Sequence, residues 1–224
     1  MSASPGIGTG DGPGAIRVPA GGSARLWLRE RVALARNASD LLEQKRRALR
    51  NEVDRLGRVA ELTAVRWRDA CREAERWTLR AELMGGEEQI LLVGASIADT
   101  AEANLTWHSV MGLAYPWEAS CQWPSGSAAI GLGTSAALAE AVTAARAALA
   151  AAVEAAAAQC ALQLTVAELE VTARRRRALE RRWIPRLEAA LAQVEFVLDE
   201  HEREEIARLR WVGLRTGGGG DGNA

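Results

Sequence analysis

The sequence predicts a mainly α-helical protein: a long antiparallel two-helix coiled coil formed by the N- and C-terminal helices, with a small central insert containing a β-hairpin. Three observations carry that expectation. Aromatic residues are only 4% of the 224, and eight of those ten are tryptophan. Hydrophobic residues reach 48%, enough for a core, and they are mostly Ala, Leu and Val beside Arg and Glu, a helix-forming vocabulary. Proline and glycine concentrate at the two ends and in one central stretch, leaving long uninterrupted tracts between them.

Residues 1–22 are rich in Gly, Ser and Pro and have no apolar stretch of the kind a secretory signal needs, so a disordered tail is expected there. The first helix is expected over 23–84. From Ala24 to Leu83 there is no proline and one glycine, Gly57. Small or apolar positions recur every seven residues at Leu28, Ala35, Leu42, Leu49, Leu56, Thr63, Ala70 and Trp77. A second series four residues on runs Val32, Ser39, Arg46, Val53, Ala60, Trp67, Ala74 and Ala81, the alternation of a heptad seam. Eight heptads correspond to a helix about 90 Å long.

The helical period fails over 85–133, which opens with Gly85-Gly86 and carries seven further glycines and prolines. Within it Gln89–Ser96 and Leu105–Leu113 have the length and composition of strands, and together they suggest a hairpin head at the turn of the rod. The second helix is expected over 134–212. It begins Ala-rich and ends with Leu187, Leu191, Val194 and Leu198 at spacings of four and three. Pro185 lacks an N–H and crowds the preceding turn, so a kink or break is expected near Trp183. The remaining 213–224 read as a flexible Gly-rich tail. Neither helix can cover its own apolar stripe, so each needs a partner. A hairpin within one chain and a parallel homodimer both satisfy that need, and seams of similar length in the two halves favour the hairpin.

Chemistry is harder to find. Basic and acidic residues number 28 and 29, a balance that argues against a dedicated binder of nucleic acid or anionic membrane. Arg174–Arg177 with Arg181 and Arg182 concentrate positive charge, but Glu168, Glu170, Glu180 and Glu188 flank them, and a solvated or protein-contacting helix face fits better than a phosphate track. Cys71, Cys121 and Cys160 are far apart and form no C-x-x-C pair, which fits a reducing cytosol. His108 and His201 stand at no metal-ligand spacing. Gly131-Leu132-Gly133-Thr134-Ser135-Ala136 matches G-x-G-x-x-G/A, but no adequate strand precedes it and no acidic strand end follows. The expected role for Thr134 or Ser135 is instead a helix N-cap. There is no P-loop motif, and the Ala-rich run from Ala128 to Ala158 is interrupted by Glu140, Arg146 and Glu154, so no membrane span is expected. No catalytic constellation, cofactor site or metal site is expected.

Three separated stretches form a more specific pattern. Arg174–Glu180 leads to Ile184-Pro185-Arg186-Leu187 and then, past an apolar seam, to the block Glu200–Glu205. Leu26–Leu49 contains paired leucines before a K-R-x-x-L element, and Met111-Gly112-Leu113 is followed by Pro116. Together they resemble the D subunit of the V-type and archaeal-type (V/A-type) ATPases and ATP synthases; the family motif positions are Arg174, Leu179, Glu180, Ile184, Pro185, Met111, Gly112 and Pro116. The resemblance implies a non-catalytic central-stalk rotor whose seam comprises Leu28, Leu42, Leu49, Leu56, Leu187, Leu191, Val194 and Leu198. It implies as partners the catalytic and nucleotide-binding subunits A and B and further stalk subunits of the F and C/d types, at the cytoplasmic face of a membrane and peripheral to it. The competing expectation is a coiled-coil scaffold or tether unrelated to rotary enzymes.

Overall fold

The computed structural model describes residues 23–96, 100–123 and 135–217. In order, the elements are helix α1 (Ser23–Ser96), strands β1 (Glu102–Val110) and β2 (Leu113–Gln122), helix α2 (Ala136–Ala178), a π-helical turn (Leu179–Trp183) and helix α3 (Ile184–Gly217). They group into two compact units: one holds α1 up to Glu43 together with the chain from Ala173 onward, the other runs from Gln44 to Thr172.

In the first unit the start of α1 packs against α3. Arg29 reaches Glu195, Arg36 reaches Glu188, and Arg176 reaches Glu43; numbers rise on one helix as they fall on the other, so the pairing is antiparallel. Leu28, Val32, Ala35 and Leu187 form the buried core, flanked by Trp27, Ile184, Ala190, Leu191 and Val194. A side chain as fully buried as Leu28 contributes about 1.5 to 3 kcal/mol. The π-helical turn sits where Pro185 makes the ordinary ladder impossible. Without an N–H, Pro185 cannot donate to the carbonyl four residues back, and the turn before it widens so that the Ile184 N–H donates to the Leu179 carbonyl, five residues back.

The second unit is also antiparallel. Lys45 pairs with Glu168 at 2.7 Å, Leu56 meets Ala161, and Ala81 meets Ala137, Leu138 and Ala141. α2 opens on Ser135, whose side-chain oxygen accepts the Leu138 N–H at 3.2 Å. The alanine-rich part of the second helical tract is long and apolar enough to cross a membrane by composition alone; here Ala137, Ala141, Ala148, Ala155, Ala158 and Ala161 are buried within the protein. Thr165 is buried with its hydroxyl donated to the Ala161 carbonyl, whereas the buried Thr172 hydroxyl has no partner among the described residues.

Three sequence expectations need correction here. Gln89–Ser96 is helix, not strand: α1 breaks at Gly86, whose φ of 75° and ψ of 162° only glycine adopts readily, and then resumes. Glu87 and Glu88 favour that restart at the positive end of a helix, and Ile90 packs on the Ala81 and Leu138 cluster, a contact that outweighs local strand preference. The strand expected over Leu105–Leu113 runs instead from Glu102 to Val110, and Met111-Gly112 is the turn. Both turn residues have positive φ, 51° and 79°, the handedness that a two-residue hairpin loop requires. The partner strand is Leu113–Gln122, paired antiparallel from Val110↔Leu113 to Glu102↔Gln122 with an irregularity at Thr106/Trp107. Trp67, a member of the heptad series, is 43% exposed. Trp77, in the companion series, is by contrast half-buried against Ala137, Leu138 and Ala141.

The other expectations in these regions fall outside the described residues. They concern the Gly-rich segment 1–22, the glycine motif over Gly131–Thr134, and the chain after Gly217.

Candidate functional site

The seam positions are distributed over both units. Leu28 and Leu187 share the first core, with Leu191 and Val194 half-buried against it. Leu42 and Leu198 are half-buried. Leu49 is wholly buried in the second unit, where Leu56 joins Tyr115 and Ala161 in a cluster that also holds Val110, Leu113 and Leu162. Among the family motif positions, Arg174 and Pro185 are exposed, Leu179 and Glu180 lie in the π-helical turn, and Ile184 is half-buried. Met111 and Gly112 make the hairpin turn, and Pro116 is buried opposite Trp107.

The arginine run divides by face. Arg176 points into the first unit, donating to Glu43 at 2.5 Å and to Glu180 at 3.0 Å, and Ser39 donates to the same Glu180 at 3.1 Å. Arg174, Arg175, Arg177, Arg181 and Arg182 are more open to solvent. One residue of the run thus closes a polar network, while its neighbours lie toward water.

The hairpin lies along the helices rather than standing clear of them. Tyr115, the least exposed aromatic among the described residues, donates its hydroxyl to Glu52 Oε1 at 2.6 Å. Arg55 grips the same carboxylate through Nη2 at 2.6 Å and Nε at 3.0 Å, and its guanidinium lies 4.4 Å from the centre of the Trp117 ring. His108 completes the cluster, edge-on to Tyr115 with ring centres 5.9 Å apart and tilted against Trp117 at 4.9 Å. The Arg55 hydrogen bonds hold the Glu52 carboxyl below its ordinary range against the opposing effect of burial, with Tyr115 adding to the lowering. Burial and the bond to Glu52 raise the Tyr115 hydroxyl. Nothing in the local sequence signals this node, because Glu52 and Tyr115 are 63 residues apart.

Shallow clefts open at the surface of the described residues. One of about 330 Å³ is walled by Trp77, Leu83, Met84, Ala136 and Ala137 with Arg80 and Glu140 at its edge; another, about 290 Å³, lies between α1 and α3 around Val32 and Leu191. Neither brings a nucleophile to a base. Among the described residues no group of three or more His, Cys, Asp and Glu side chains could hold a metal ion. What these surfaces offer is packing and charge pairing.

The fold therefore defines a mainly helical protein in which the N- and C-terminal helical tracts pair antiparallel within each unit and a two-stranded hairpin packs on the second. Comparison with known proteins makes this particular. Residues 25–213 match the family of the ATP synthase D subunit, and the chain belongs to that family. It is 33% identical over 193 residues to the A-type ATP synthase D subunit of Methanopyrus kandleri, covering 84% of this chain and 82% of the relative. It is 30% identical to the A-type D subunit of Halorubrum lacusprofundi, covering 83% and 82%. The V-type ATP synthase D subunit of Thermus thermophilus is 29% identical, covering 84% and 83%. The chain is a central-stalk subunit of a rotary ATPase.

Proposed function

We propose that the chain is the rotor shaft of its complex, without catalytic activity of its own, transmitting torque between the nucleotide-driven ring and ion translocation across the membrane. Its partners on this reading are the catalytic and nucleotide-binding subunits A and B around the shaft, and stalk subunits of the F and C/d types that hand rotation to the membrane rotor. It works at the cytoplasmic face, peripheral to the membrane. Residues 23–84 and 134–212 form the shaft and 85–133 the insert, with Leu28, Leu42, Leu49, Leu56, Leu187, Leu191, Val194 and Leu198 as its seam.

The observation that best supports the reading is the antiparallel helix packing, in which an apolar seam is flanked by charged pairs such as Arg36 with Glu188 and Lys45 with Glu168. Torque needs a stiff element with unlike faces, so that each surrounding catalytic interface meets a different surface at each angle and its open and closed states are biased differently. The test is reconstitution of the complex with wild-type or Leu49→Asp chain. A buried unpaired carboxylate destabilises the seam strongly. ATP-driven ion pumping should therefore be lost while nucleotide binding by the ring persists. Undiminished pumping from complexes lacking this chain altogether would overturn the assignment.

A further inference from the structure

The hairpin is attached to the helices chiefly at its turn end. Eight of the nine residues of β1 are exposed, and in β2 only Tyr115 and Pro116 are buried. A two-stranded ribbon is marginal by itself in water, so its order depends on what it is docked to. The docking contacts are Val110, Leu113 and Tyr115 on Leu56, Ala161 and Leu162, with Glu52 and Arg55 closing over Tyr115 and Trp117. At the far end the Arg146 guanidinium lies 5.7 Å from the centre of the Trp123 ring, a looser approach than that of Arg55 to Trp117.

We infer that the hairpin is a clasp: the Tyr115 hydroxyl, the Glu52 carboxylate and the Arg55 guanidinium hold it against the shaft, and it leaves the shaft as one body when that node opens. The arrangement suits a two-position element. The node joins one strand residue to two residues one turn apart on α1, so it is made or broken at one place. The apolar contact and the polar node meet at the same residue, Tyr115, so losing the node weakens the attachment where it is made. The node is strengthened because the Glu52 carboxylate accepts both a hydroxyl and a guanidinium proton in a part-buried setting, its side chain 15% and that of Arg55 35% exposed. Release uncovers Leu56 and Ala161, which are 3% and 0% exposed in the docked form. The clasp therefore also governs how well the two helices are sealed at that level.

Hydrogen exchange on the full chain, followed by mass spectrometry, tests this with Tyr115→Phe and Glu52→Gln, two changes that keep ring and side-chain shape. Loss of a hydrogen bond to a charged group should raise exchange roughly ten- to a hundredfold. The ladder amides over 102–122 should rise by a common factor in both variants, while protection over 28–36 and 187–194 stays at its wild-type level. Three outcomes would overturn the clasp: no change over 102–122 in either variant, a rise confined to the residues next to Tyr115, or an equal rise in the helices. The first would mean that the apolar contact alone holds the hairpin, the second local fraying, and the third general destabilisation.

Discussion

Glu52 keeps its charge in the fold more readily than it would in an unfolded chain, since Arg55 donates to its carboxylate and the Tyr115 hydroxyl adds to the effect. Its folded pKa lies below the unfolded value of 4.5, so its contribution to stability is complete above that value and is lost as the pH falls through the folded one. Tyr115 has the opposite sign. Its folded pKa lies above the ordinary 10.0, so its contribution is complete below that value and is lost as the pH rises through the folded one. Hairpin stability should accordingly show a plateau between an acid and an alkaline limb. Near-ultraviolet circular dichroism across an acid titration, with denaturant unfolding at each pH, checks it. Glu52→Gln should flatten the acid limb, and an unchanged limb would place the responsible carboxylate elsewhere.

Among the elements, α1 illustrates both the reach and the limit of a repeat. The sevenfold spacing that singles out Leu28, Leu49 and Leu56 also singles out Trp67, and spacing alone cannot say which of these the rest of the fold covers and which it leaves in water. Leu49 is 0% exposed and Trp67 is 43% exposed. Replacing Leu49 by Ala should therefore cost about 2 to 5 kcal/mol, and Trp67 by Ala less than about 1 kcal/mol. Thermal and denaturant melts of the two variants should rank them in that order; a larger loss at Trp67 would move the seam to another face of α1. Helical character was legible from composition and period, and a hairpin from the glycine-rich centre. The strand bounds were not, because Ile90 is held in helix by residues far along the chain, and Met111 adopts a positive φ that its own chemistry does not favour. The node at Glu52 was invisible for the same reason, being made entirely by tertiary contact.

For the molecule as a whole, near-neutral charge conceals an ordered pairing of opposite signs between helices. The pairs differ in how far water reaches them. Arg36 and Glu188 have side chains 63% and 41% exposed, whereas Arg176 and Glu43 are 29% and 19% exposed. Exposed pairs are screened and worth little, so a double-mutant cycle at Arg36 and Glu188 should give a coupling below about 1 kcal/mol that falls further in high salt. The cycle at Arg176 and Glu43 should exceed it and resist salt, because less water intervenes and Glu180 shares the guanidinium. Denaturant unfolding at low and high ionic strength measures both, and the reverse ranking would show that burial does not govern these pairs.

Two helices side by side have a cross-section that nearly repeats after half a turn, as an oval does. The ribbon held against Leu56 and Ala161 breaks that repeat by adding a layer on the side where it docks. On the rotor reading proposed above, an oval axle would give a surrounding ring the same push twice per cycle. With the ribbon in place the outline at that level no longer repeats after half a turn.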